Sequence, residues 1–158
     1  MSSPIKHEQA REDEKYMSRC LELARLAAEA QEVPVGAVVV QGGQIVAEGQ
    51  NRTRERGSPL AHAEILALEA AFEAVGTARI PESTLYCSLE PCFMCTGALL
   101  HARVRRVVYA ARDPKFGACG SLADLPADSR LNHRCPVVSG ILAEESAALL
   151  REFFQSLR

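Results

Sequence analysis

At 158 residues, 47% hydrophobic and 24% charged, the chain is too apolar for a disordered segment and fits a single soluble domain over residues 1–158. No stretch approaches the ~20 apolar residues of a membrane helix, and the opening MSSPIKHEQAREDEK has no apolar run for a secretory signal; a cytoplasmic protein with no membrane association is expected. Net charge is −2 and by itself points to no nucleic-acid partner.

Taken in order, residues 8 to 30 carry Met17, Cys20, Leu21, Ala24 and Ala28 at helical spacing among strong helix formers, which predicts a covering helix with frayed first residues. VPVGAVVV and IVAEG around Gln41-Gly42-Gly43-Gln44 read as a hairpin. The unbroken apolar run Val38 to Val40 implies burial on both faces, hence helices on both sides of the sheet. QNRTRERGSPLA, residues 50 to 61, reads as a polar loop. Asn51 at its start is by type either a turn residue or a ligand contact. A helix over 62 to 75 stops at Gly76. A strand from Thr84, a helix from Cys92 to about Ala102 and a strand over 106 to 110 then imply parallel neighbours. Residues 111 to 134 form a long connection with a helical turn near Leu122 to Leu125, of a length that tends to be functional. PVVSG is a last short strand, and Ala143 to Leu157 a terminal helix. The order α β β α β α β β α gives a three-layer α/β/α domain.

The chemistry concentrates in TLYCSLEPCFMCTGALLHA, residues 84 to 102, together with His62-Ala63-Glu64. Pro91 suits the first position of a helix, where its missing N–H is harmless. Cys92 and Cys95 follow on one helical face, at the end where the helix dipole favours thiolate. Two thiolates leave zinc short of tetrahedral closure, and His62, at the mouth of another helix, is the best third ligand. Glu64 can converge with His62 only where that helix is beginning, because positions i and i+2 inside a helix diverge. Zinc, two thiolates and a neutral imidazole make a neutral centre with a fourth place for water; Glu64 beside it fits a proton shuttle better than a ligand. The competing arrangement is a closed zinc knuckle, with a fourth ligand from Cys87, Cys119, Cys135, His101 or His133. Mixed sulfur and imidazole donors favour one zinc ion per chain. The other cysteines, Cys20, Cys87, Cys119 and Cys135, are expected as thiols in a reducing compartment.

H-x-E with P-C-x-x-C is the known signature of zinc-dependent base deaminases. Nearly the whole chain from Met17 to Phe154 resembles the bacterial tRNA-specific adenosine deaminases, through EVPVGAVVV, GQNR, AHAEILAL, TLYCSLEPCFMCTGAL, ARVRRVVYAARDPKFGACGSL, LNHR and ILAEESAALLREFF. The resemblance implies a cytidine-deaminase-like fold with a mixed five-stranded sheet. It implies hydrolytic conversion of adenosine to inosine at the wobble position of an arginine tRNA anticodon, by a homodimer. Carried over by position, His62, Cys92 and Cys95 resemble the zinc ligands and Glu64 the proton shuttle. Asn51 resembles the residue that holds the target nucleotide, and Asp113 and Asn132 match positions that contact the anticodon loop. Cys119 falls in the substrate-facing loop, where a small residue is expected.

Charge distribution adds a surface to this. Residues 91 to 158 hold nine basic and six acidic side chains, and between His101 and Arg134 the balance is +4, from Arg103, Arg105, Arg106, Arg112, Lys115, Arg130 and Arg134 against Asp113, Asp124 and Asp128. Arg105, Arg112 and Lys115 are the expected phosphate contacts. Two other readings stay open: a deaminase of a free base or nucleoside of guanine or cytosine class, and a zinc-stabilised binding module without turnover.

Overall fold

A computed structural model describes residues 3–158, and its frame is a five-stranded sheet in the order β2-β1-β3-β4-β5. Strands β1 (Gly36–Gln41) and β2 (Gln44–Gln50) form the expected antiparallel hairpin, with Gly42 and Gly43 at positive φ in the turn. Beside β1 lies β3 (Ser83–Leu89), also antiparallel; β4 (Arg106–Ala111) and β5 (Val137–Ser139) continue in parallel. The sheet is therefore mixed.

Alternation along the central strands divides the interior in two. Val38, Val40, Tyr86, Val108 and Ala110 meet Tyr16, Met17, Cys20 and Leu23 of helix α1 (Pro4–Glu29). Ala37, Val39, Leu85, Cys87 and Val107 face the opposite way, against Ala63, Ala67, Leu68 and Ala71 of α3 (Ala63–Val75) and Leu99 of α4 (Phe93–His101). Helix α5 (Ala143–Ser156) joins α1 on the first face. The run Val38 to Val40 is buried throughout, as three layers require. Gly49 permits close stacking of α3 on β2, because a Cβ there would strike the Ala63 carbonyl and the Ala67 nitrogen.

Four local expectations change. Helix α1 begins at Pro4 rather than residue 8: Ser3 accepts the Lys6 N–H as N-cap, and proline stands in the first turn. The loop 50 to 61 contains a short helix, α2 (Thr53–Arg56), because the Glu32 carboxylate accepts the N–H groups of Arg54 and Glu55 at 2.9 and 2.8 Å, and Gly57 closes it in the left-handed conformation. Pro91 does not open α4; Cys92 is the N-cap and Phe93 the first helical residue. The turn expected near Leu122 to Leu125 is a 3₁₀ turn at Leu125–Ala127, held in place by Pro126 in its first turn. All six cysteines are free thiols.

Candidate active site

The beginning of β1 and the ends of β2, β3 and β4 lie at one end of the sheet, by the register of the strand pairs. There a cavity of about 450 Å³ opens, lined by Asn51, His62, Glu64, Cys92, Asp113 and Phe116 among others. The volume is typical of small-molecule sites.

His62 and Cys92 hold equivalent places, each the N-cap of its helix with extended backbone, and neither side chain caps its own helix. Both are thereby free to turn toward each other. His62 Nδ1 stands 3.6 Å from Cys92 Sγ and 3.4 Å from Cys95 Sγ. Zinc–sulfur and zinc–nitrogen bonds of about 2.3 and 2.0 Å at the tetrahedral angle would separate these donors by roughly 3.5 Å. The donor set therefore fits zinc in both chemistry and spacing. Ligand atoms of His62, Cys92 and Cys95 all lie within 4.8 Å of one another, and no fourth His, Cys, Asp or Glu joins that group among the described residues. The closed knuckle is not what the fold builds: Cys119 points instead to Thr96 Oγ1 at 3.3 Å, and His133 Nε2 lies 2.8 Å from the Val104 carbonyl.

Electrostatics in the cluster suit a cation. Hydrogen bonding from Cys95, with His62 adding to it, drives the Cys92 thiol down to about 4. The same bond and burial push Cys95 the other way, so one thiolate forms readily and the second proton is released by positive charge between them. The Cys92 sulfur raises His62 above the ordinary imidazole value. Glu64, in the first turn of α3, is buried, and burial raises its carboxyl despite the opposing pull of His62. A carboxyl with raised pKa can both accept and return a proton near neutrality.

Asn51 makes the turn contact expected of it and stands at the cavity wall. Its Oδ1 accepts the Thr53 N–H at 3.3 Å, a turn contact, while its Nδ2 donates to the Val33 carbonyl at 3.3 Å, and the residue lines the cavity. Asp113 lines it too and orders its own loop, Oδ1 accepting the N–H groups of Lys115 and Phe116 at 3.0 and 3.2 Å. Arg112 and Lys115 are exposed on either side of Asp113.

Other expected site residues are not brought together here. Asn132 is exposed in a separate groove with Leu100, His101 and Arg103, at the far end of α4. Arg105 precedes β4, so roughly 20 Å of strand separates it from the cavity; it sits 4.0 Å from Glu82. Arg106 leaves the basic surface altogether. Its guanidinium makes a two-pronged ion pair with Asp13 at 2.8 and 2.6 Å.

Glu90 was not singled out by sequence reasoning. Buried between β3 and Cys92, its carboxylate accepts N–H groups from Asp113, Cys119 and Ser121 at 3.1, 3.1 and 3.0 Å, and the Ser121 hydroxyl as well. Burial opposes its charge, but these hydrogen bonds outweigh burial and hold the carboxyl below its usual range. The nearest local signal was an acidic residue directly before Pro91. Also missed was a second basic segment, Arg52, Arg54 and Arg56, which follows Asn51 in sequence; Arg52 and Arg56 line a separate groove.

Comparison with known proteins agrees with this geometry. A model of the MafB19-like deaminase family matches residues 11–158. A tRNA-specific adenosine deaminase of Bacillus subtilis is 45% identical over 147 residues, covering 93% of this chain and 91% of that protein. A structure from a study of A-to-I editing by tRNA:A34 deaminases at the wobble position of transfer RNA superimposes with a TM-score of 0.83 at 44% identity, over 86% of this chain and 99% of that one. A guanine deaminase from Nitrosomonas europaea gives 0.75 at 31% identity, over 97% and 85%. The cavity with its three metal-ligand donors thus sits in a chain that belongs to the tRNA-specific adenosine deaminases, within the MafB19-like deaminase family.

Proposed function

We propose that this protein hydrolyses the exocyclic amine of adenosine at the wobble position of a tRNA anticodon, arginine tRNA by family resemblance, giving inosine and ammonia. The observation that carries it is the buried Glu64 carboxyl beside a three-donor group that no fourth His, Cys, Asp or Glu joins among the described residues, in a cavity open to solvent. His62, Cys92 and Cys95 would hold a zinc ion, which would supply a water with its pKa lowered toward roughly 7.

The chain's own residues do the rest. Glu64 takes the proton released as water attacks carbon 6 and delivers it to ring N1; it then moves the proton of the new C6 hydroxyl to the amine, which leaves as ammonia as the C–N bond breaks and the carbonyl forms. Asn51 and Asp113 hold the nucleotide from two sides of the cavity. Arg112 and Lys115 meet backbone phosphate. Anticodon loops suit the site because their bases are already partly unstacked, which lowers the cost of extrusion. The protein works as a cytoplasmic homodimer, as family resemblance implies; no described helix is long and apolar enough to cross a membrane.

Likeness to the guanine deaminase supports a second reading, turnover of a free base in the same cavity. An anticodon stem-loop with adenosine at the wobble position, compared with free adenosine, cytidine and guanine, separates the two; faster release of ammonia from a free base rejects the first. Glu64→Gln keeps about one zinc per chain while deamination falls roughly 100- to 10,000-fold. Undiminished ammonia release in that variant rejects the proton-shuttle role, and loss of zinc would make Glu64 a ligand.

A further inference from the structure

We infer that Phe116 is a stacking platform for a base adjacent to the one being deaminated; this rests on the RNA-substrate reading above. Phe116 is 65% exposed yet lines the cavity. An isolated exposed phenylalanine needs no explanation on most surfaces. This one is held in place.

Its N–H is bound by Asp113 Oδ1 at 3.2 Å, and the next residue, Gly117, donates to the Asp113 carbonyl at 2.9 Å. Glu90 grips the loop on both sides, through Asp113 and through Cys119 and Ser121. No side chain fits at Gly117, where a Cβ would run into the Glu90 carboxylate. The ring is thus presented from a fixed backbone instead of folding back onto the core. Lys115 and Arg112 are exposed in the same short segment, so cationic side chains accompany the aromatic face, the combination by which single strands are held. A second ring, Phe93, lines the cavity at 45% exposure. A free base enclosed in the cavity would leave such rim rings uncovered. A strand with neighbours on either side of the extruded nucleotide would cover them.

Phe116 is the residue to test, since Phe93 adjoins Cys92. In the intact protein, Phe116→Leu should raise KM for the anticodon stem-loop roughly tenfold while kcat stays within about threefold, and Phe116→Trp should restore KM. The salt dependence of binding should be unchanged in Phe116→Leu, whereas Lys115→Ala should lower its slope by about one. Stem-loops made abasic immediately 5′ or 3′ of the wobble position complete the cycle: one of them should lose affinity with the wild type and lose no more with Phe116→Leu. Additive losses at both positions, or an unchanged KM in Phe116→Leu, overturn the stacking role. Failure of the wild type to deaminate the intact stem-loop overturns the proposed function itself, and the stacking role with it.

Discussion

Glu90 shows how much one carboxylate can organise. Its Oε2 accepts from the N–H groups of Cys119 and Ser121, and its Oε1 from Asp113 N–H and the Ser121 hydroxyl. Glutamine has nearly the same shape but only one acceptor oxygen. Whichever way its amide turns, an NH2 group meets at least one main-chain donor, and a buried donor left unmatched costs about 1–3 kcal/mol. Glu90→Gln should therefore lower the unfolding free energy by about 2 kcal/mol and raise KM for the stem-loop, with zinc content retained. Denaturant titration and metal analysis check this; full stability with unchanged KM would mean that the loop holds its shape without the carboxylate. No pattern in sequence marks this role, because each partner lies 23 to 31 residues away. The candidate metal cluster was legible for the opposite reason: Cys92 and Cys95 are local to one another, and only the distance from them to His62 had to be closed by the fold.

Helices α3 and α4 share an unusual start. Serine, threonine, asparagine or aspartate at an N-cap stabilises a helix by about 1 kcal/mol through its bond to the first turn. Here His62 and Cys92 occupy those places with no side-chain cap, and both side chains join the three-donor group that could hold a metal. Metal binding there, as proposed, would do the anchoring that caps would do. Chelation should accordingly speed amide exchange in the first turns of α3 and α4 while β1, β3 and β4 remain protected, and lower the melting temperature by several degrees. Uniform protection before and after chelation would show that the two helix starts stand without the ion. The existence of the longer helices was clear from apolar spacing, but helix boundaries, and α2 altogether, were not. Cap identity depends on which side chains the fold pulls away, as Cys92 shows at α4, and on distant partners, as Glu32 shows at α2.

Across the whole molecule, the three layers were readable from the unbroken run Val38 to Val40 and from the strand-helix-strand crossover that makes β3 and β4 parallel. The ties between layers were not. Asp13 on α1 reaches Arg106 on β4, 93 positions away, and also accepts the Tyr86 hydroxyl at 2.8 Å. Charge counting assigned that arginine to the surface. Asp13 is buried, which would raise its carboxyl, but Arg106 and Tyr86 more than compensate and its pKa is lowered. A lowered folded value stabilises above the unfolded pKa near 3.9, and that stabilisation is lost as pH falls through the folded value. Asp13→Asn should thus be about 3 kcal/mol less stable than wild type at pH 7, with Arg106 left unpaired, and the gap should shrink below about pH 4. A gap of the same size at pH 3 would assign the loss to packing instead of charge. The Glu90 clamp, finally, acts almost wholly on main-chain groups of residues 113 to 121. Outward side chains such as Lys115 and Phe116 take no part in it, so mutation can exchange them while the rim keeps its contour. On the proposed roles of those two side chains, substrate preference could be redesigned without the scaffold having to be reinvented.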